Sequence, residues 1–156
     1  MKYNGFVFIG LIKVEDEPYV IEYNVRMGDP ETEAVIPRIK SDFLELLDSV
    51  NRGSLSDYNL LIDDSPATTV FLVSGGYPEF YEKNKQIFGL ETVSHSMVFH
   101  AGATKKDEKF FTSGGRVLAI TSLANTIQQA LEKSYSSIKQ INFEGMNFRK
   151  DIGFDL

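Results

Sequence analysis

The chain opens with a nearly continuous apolar run, Gly5 to Lys13, followed by an alternating one, Tyr19 to Arg26. Between them lie Glu15, Asp16, Glu17 and Pro18, a polar stretch with a turn-forming proline, so the pattern predicts a β-hairpin. The first strand is apolar on both faces and is expected to be buried within a sheet. The second sets Ile21, Tyr23 and Val25 on a core face and Glu22, Asn24 and Arg26 on a polar one. After Gly28, the string Asp29-Pro30-Glu31 predicts a short helix, with Asp29 as cap, Pro30 at the first helical position and Glu31 at the positive end of the dipole. Pro37 is expected to break that helix. A second one is predicted from Ser41 or Asp42, with Phe43, Leu44, Leu47 and Val50 at apolar spacing and Gly53 as its stop. Both helices are expected to cover the hairpin sheet.

A Ser/Asp-rich stretch, Asn51 to Pro66, separates this region from one of different texture. Beyond it, strands are predicted at Thr68 to Val73, Thr92 to Ala101, Lys109 to Thr112 and Arg116 to Thr121, punctuated by Gly75-Gly76, Gly102 and Gly114-Gly115. One helix interrupts them, from about Ser122 to Ile138, with Leu123, Ile127, Ala130, Leu131 and Tyr135 along one face. The tail, Ile141 to Leu156, is expected to be a last turn or short strand. The fold class is therefore α+β, with a hairpin and covering helices followed by a small β-rich domain containing one main helix.

Composition narrows the chemistry. The 156 residues are 42% hydrophobic and 12% aromatic, enough for one core or two small ones. A net charge of -6 repels a nucleic-acid backbone, so no nucleic-acid partner is expected. Cysteine is absent, which excludes disulfides, thiolate nucleophiles and sulfur-ligated metals. The longest apolar segment, Phe6 to Ile12, is far too short to span a bilayer and lacks a cleavage site. No membrane partner is expected, and the expected location is the cytoplasm.

Strand alternation points Glu22, Asn24 and Arg26 at one volume. A carboxylate and an amide oxygen are hard ligands suited to Mg²⁺, and a neighbouring guanidinium suits phosphate oxygens, so the three together describe a site for a Mg-nucleotide or an acyl phosphate. They equally suit the solvated face of an antiparallel hairpin, and the pattern by itself does not separate the two readings. His95 and His100, five positions apart on one predicted strand, face opposite sides and are read as structural.

The longer string Glu22-Tyr23-Asn24-Val25-Arg26-Met27-Gly28-Asp29-Pro30-Glu31 closely resembles the signature of phosphoribosylamine–glycine ligases within the ATP-grasp superfamily. The resemblance continues through Gly10-Leu11, Gly75-Gly76-Tyr77-Pro78, Phe99-His100-Ala101-Gly102, Gly114-Gly115-Arg116-Val117-Leu118 and Arg149-Lys150-Asp151-Ile152-Gly153, in family order and over nearly the whole chain. It implies a C-terminal end of an ATP-grasp core at residues 1–65 and the family's small C-terminal domain at 66–156. It also implies Glu22 and Asn24 as ligands of Mg²⁺ (or Mn²⁺), Arg26 as a nucleotide-binding and catalytic group beside the transferred phosphoryl, and ATP as co-substrate. Asp29 is implied either as a group that places the small amine-bearing substrate or as a helix cap alone. Gly75 to Pro78 and Arg149 to Gly153 either approach the active site or brace its sheet, and Arg116 either binds a phosphate or pairs with a carboxylate.

The family pattern is broken at Glu79, where a small residue is usual, and at Lys83-Asn84 in place of Lys-Gly, although asparagine tolerates the left-handed backbone that such a turn needs. The resemblance further implies glycine and phosphoribosylamine as substrates, and an N-terminal part of the same enzyme as partner. A nucleotide-binding lid with phosphate-gripping lysines or a glycine-rich loop is not in this sequence, nor is a Gly-x-x-x-x-Gly-Lys loop. Met1 immediately precedes the first apolar strand, which leads to the expectation of a chain cut from a longer polypeptide and inactive alone. Two alternatives stand beside this reading: another ATP-grasp ligase or carboxylase, and a non-catalytic module that associates with itself through the strand edge and apolar surface of Phe6 to Leu11.

Overall fold

Strands β1 (Phe8–Val14) and β2 (Glu17–Asn24) form the expected hairpin. In this computed structural model, which describes residues 2–154, the turn is Glu15 and Asp16 alone, with Glu15 at φ 56°. Pro18 is therefore not in the turn but inside β2, opposite Lys13. A two-stranded ladder has free outer edges, so a residue without an N–H is tolerated there. The ladder slips once, between Gly10 and Leu11, leaving Ile21 as the extra residue of a β-bulge. The chain divides into two compact units, residues 1–64 and 65–156. Met1, Asp155 and Leu156 lie outside the described residues, and with them the last two residues of the expected tail element.

The expected burial of the hairpin is overturned. Ile12 is 50% exposed, Ile21 64% and Tyr23 67%, so neither the first strand nor the supposed core face of the second is buried. The helices do not cover this sheet among the described residues. Their apolar side chains, with Phe6, Leu60 and Ile62, instead line a cavity of about 520 Å³ that includes Val35, Ile39 and Leu46.

Helix α1 (Thr32–Val35) is a single turn that runs straight into a 3₁₀ turn, Ile36–Arg38. Pro37 lies in the first turn of the 3₁₀ segment, where its missing N–H costs nothing, so it changes the helix type rather than ending the element. Helix α2 (Phe43–Arg52) begins as its sequence dictates: the Asp42 side chain accepts a hydrogen bond from the Glu45 N–H. It ends at Gly53, whose left-handed φ of 74° lets the N–H turn back to Ser49 and Val50 carbonyls.

In the second unit, β3 (Ala67–Val73) and β5 (Met97–His100) flank β8 (Arg116–Leu123) in one antiparallel sheet. A second sheet has the order β4 (Gln86–Ile87), β7 (Lys109–Thr112), β6 (Ala103–Lys106). Residues 117–122 of β8 are all buried, and Val70, Leu72, Leu118 and Ile120 meet Ile138, Ile141 and Phe143 in the core. The expected strand from Thr92 is shorter: Leu90–Thr92 forms a 3₁₀ turn, and His95 precedes β5 rather than sharing it. The His100 ring lies 4.7 Å from that of Phe110, tilted by 37°. Asn84 adopts the left-handed conformation, φ 61°.

Helix α3 covers Ile127–Ile138, five residues shorter than expected, because Ser122 and Leu123 continue β8 and Thr126 caps the helix through the Gln129 N–H. Its fully buried residues are Ala130, Ser134, Ser137 and Ile138, and the other helical members of the anticipated row, Ile127, Leu131 and Tyr135, are half-buried. The serines are tolerated there because hydroxyls satisfy one another: Ser122 lies 2.7 Å from Ser96 and 2.9 Å from Ser134, and Ser96 lies 2.7 Å from Ser137. Ser122→Ala removes the centre of this network and is expected to destabilise the chain by about 1–3 kcal/mol, read as a lower urea midpoint at unchanged slope.

Lys85 ties the chain near the end of the second unit to an upstream loop, with Nζ 2.6 Å from Glu82 and 2.9 Å from Glu144. The Lys85 hydrogen bond holds the Glu82 carboxyl below its ordinary value of 4.5, and Glu82 first, then Glu144, raises Lys85 above 10.5. The Glu82 contribution is present above its unfolded pKa and disappears as pH falls through the lowered one; the Lys85 contribution is present below 10.5 and disappears as pH rises through its raised value. Thermal melts of Glu82→Gln are therefore expected to lose less stability than the parent chain on acidification below pH 4.5.

Candidate functional site

The polar stripe survives the bulge. Glu22 stands opposite Gly10 and Asn24 opposite Phe8, so these four residues share one face of the ladder. Asn24 Nδ2 donates to Glu22 Oε1 at 2.9 Å, which turns the amide oxygen of Asn24 away from that carboxylate oxygen. Glu22 is exposed and Asn24 half-buried. Gly10 is what lets the acid lie there: a Cβ on that residue would stand 3.1 Å from Glu22 Cγ.

Arg26 lies in the bend beyond β2, exposed, and its Nη1 donates to the Met27 carbonyl at 2.9 Å. Gly28 is buried. Its carbonyl accepts from the Thr32 N–H at 3.2 Å and from the Thr32 hydroxyl, which anchors the turn 28–31 to the start of α1. Asp29 is exposed in that turn and is not the helix cap; Glu31 takes the cap position and makes no side-chain bond there. The cap reading fails because the helix starts three residues after Asp29, at Thr32.

Alternation thus brings Glu22 and Asn24 into direct contact, while Arg26 and Asp29 follow on the connection that leaves the strand. The donor set, a carboxylate and an amide oxygen without sulfur, fits a hard divalent cation. Among the described residues no group of three or more His, Asp or Glu side chains is placed to hold a metal ion, so this face offers two protein donors rather than a full cage. Also among the described residues, no helix is long and apolar enough to cross a membrane.

The glycine motifs of the second unit serve close packing. Ser74 donates to the Gly114 carbonyl at 2.9 Å, and Gly115 carries the Tyr77 ring where a Cβ would stand. Arg116 lies 5.2 Å from the Phe71 ring, and Arg149 grips Asp151 through two hydrogen bonds of 2.9 Å.

The family described as "Phosphoribosylglycinamide synthetase, C domain" matches residues 67–155. The chain belongs to the phosphoribosylglycinamide synthetase family. Phosphoribosylamine–glycine ligase of Fusobacterium nucleatum is 41% identical over 98% of this chain, and that of Caldanaerobacter subterraneus 43% identical over 96%. The chain spans 37% and 36% of the length of these two relatives. The crystal structure of phosphoribosylamine–glycine ligase from Thermotoga maritima superposes with a TM-score of 0.81 at 34% identity, covering 93% of this chain and 36% of that one. The α+β character of this family member, mostly sheet with few helices, matches that structure.

Sequence reasoning did not find the packing that supports the site. A Cβ on Gly28 would stand 2.8 Å from the Phe8 ring and collide with the Glu31 carboxylate. The only sequence signal is a lone glycine after an alternating strand. Gly28→Ala is expected to cost about 1–3 kcal/mol through overpacking, measured as a lower midpoint in denaturant unfolding; an unchanged midpoint would show that the turn yields freely.

Proposed function

We propose that the chain is the C-terminal portion of a ligase that joins glycine to phosphoribosylamine using ATP, in purine biosynthesis. In this reading residues 1–65 are the end of an ATP-grasp core and residues 66–156 the family's C-terminal domain. The observation that carries it is the Glu22–Asn24 pair on one strand face, followed by Arg26 and the Gly28-Asp29-Pro30-Glu31 turn, in a chain whose relatives carry that enzyme's name. The rest of the enzyme is the partner, since the matched part of those relatives is 36–37% of their length. Acting in the cytoplasm accords with such a biosynthetic enzyme.

The reaction divides into two displacements. A glycine carboxylate oxygen takes the terminal phosphoryl group of ATP and ADP leaves; the amine nitrogen of phosphoribosylamine then attacks the acyl carbon, phosphate leaves and the amine gives up a proton. Neither displacement needs a protein nucleophile, in keeping with a chain without cysteine and a site of carboxylate, amide and guanidinium. Glu22 and Asn24 would hold the divalent cation, each through a side-chain oxygen. When bound, Mg²⁺ or Mn²⁺ supplies charge neutralisation to the phosphate oxygens. Arg26, exposed and hydrogen-bonded to the Met27 carbonyl, swings to the transferred phosphoryl group, and Asp29 receives the small amine-bearing substrate, glycine.

A second reading draws on the exposed hairpin. With Ile21, Tyr23 and Val25 each at least 64% exposed, the chain in isolation is a self-associating module without catalysis of its own. Light scattering separates the two: a dimer that persists on dilution and excludes the remaining portion of the enzyme favours the module, and a chain that is captured by that portion favours the ligase. In the assembled enzyme, Glu22→Gln is expected to lower ADP release by at least about a hundredfold with an unchanged unfolding midpoint. Full turnover in that variant overturns the metal assignment.

A further inference from the structure

Phe8 occupies a place that neither the polar stripe nor the family signature explains. It pairs with Asn24 across the ladder, and its ring lies on the same face as Glu22 and Asn24. One ring edge reaches toward Gly10, whose Cβ direction ends 3.5 Å from Cε1. The opposite edge presses on Gly28, where a Cβ would stand 2.8 Å from Cδ2 and 2.9 Å from Cε2. The aromatic ring therefore lies between the two glycines, with the tight approach at Gly28. Gly28 is the buried residue of its turn, and the Glu31 carboxylate crowds the same Cβ position as the ring.

We infer that Phe8 is a positioning residue that locks the Gly28–Glu31 turn, and with it Asp29, against the strand face carrying Glu22 and Asn24. The two ends of this contact are 20 residues apart in sequence, and the segment between them includes the bulge at Ile21. Backbone pairing alone stops at Asn24, and the α1 hydrogen bonds to Gly28 fix the turn to the helix, not to the strand. The ring adds a direct contact from strand to turn, beside the Tyr3 hydroxyl that donates to the Phe6 and Val25 carbonyls at 2.9 Å. A side chain packed between two glycines has few rotamers open to it, so it transmits the strand's rigidity to the turn at low entropic cost. The functional part of this inference rests on the proposed role of Asp29 in receiving the amine-bearing substrate; the mechanical part does not.

The test combines backbone relaxation of the chain with kinetics of the assembled enzyme. In Phe8→Ala, the order parameters of the Gly28, Asp29 and Thr32 amides are expected to fall from about 0.85 to below about 0.6, while those of β2 up to Glu22 stay unchanged. Phe8→Leu, measured beside it, keeps an apolar side chain and decides the matter should Phe8→Ala not fold: the same loss of order is expected. Phe8→Tyr keeps the ring and the parent values. In the assembled enzyme, Phe8→Leu is expected to raise the glycine KM about tenfold with kcat within about twofold, since a loosened turn weakens binding before it touches phosphoryl transfer. Parent-like order in Phe8→Leu overturns the inference, as does a lowered kcat at unchanged KM. If the parent assembly releases no ADP, the ligase reading has failed and the order parameters alone decide the role of Phe8.

Discussion

The antiparallel ladder between β1 and β2 is the constraint on which the polar site of the first unit depends. Its register sets Glu22 over Gly10 and Asn24 beside Phe8, and the single slip at Ile21 is absorbed without turning either polar side chain to the other face. A slip of one more residue would exchange Glu22 for Tyr23 or Ile21 and replace the carboxylate–amide pair with an apolar one. The 2.9 Å bond between Asn24 and Glu22 then fixes the two polar side chains against each other on that face. Preorganisation of this kind is what phosphoryl transfer asks of a protein, because the chemistry consists of alignment and charge neutralisation.

The second unit answers a different demand. Its central strand, β8, is buried from Val117 to Ser122 and is enclosed by β3, β5 and α3. The core there is closed by aliphatic packing on one side and by a chain of serine hydroxyls on the other, so that a helix with a partly polar buried face is held without a buried unpaired group. Among the described residues no such closure exists around the hairpin of the first unit, whose apolar residues stand open. The contrast is one of burial: the second unit encloses its central strand, and the first leaves the apolar side chains of its hairpin exposed.

Much of this was legible in the sequence where local rules decide. Asp42 and Gly53 bracket α2 as a cap and a left-handed stop, and alternation put Glu22 and Asn24 on one face. What escaped has identifiable reasons. β4 is two residues long and β6 ends in Lys105 and Lys106, so neither shows a hydrophobic period. Ser122 and Leu123 fit a helical face as well as a strand, and only the pairing with β3 assigns them to β8. Asp29 looked like a cap because proline and glutamate follow it, yet the helix begins later. The Phe8 packing was invisible for a simpler reason: it joins residues 8, 10 and 28, and no local pattern encodes a contact at that distance.

The central claim is that this chain holds part of an active site and depends on the rest of the enzyme to use it. ADP release measured with ATP, Mg²⁺, glycine and freshly formed phosphoribosylamine tests it most directly, with this chain and the remaining portion of a family ligase assayed separately and then mixed. The account predicts ADP release in the mixture that requires both glycine and phosphoribosylamine, and none from either piece. Turnover by this chain alone, or a mixture that binds together and stays silent, would contradict it.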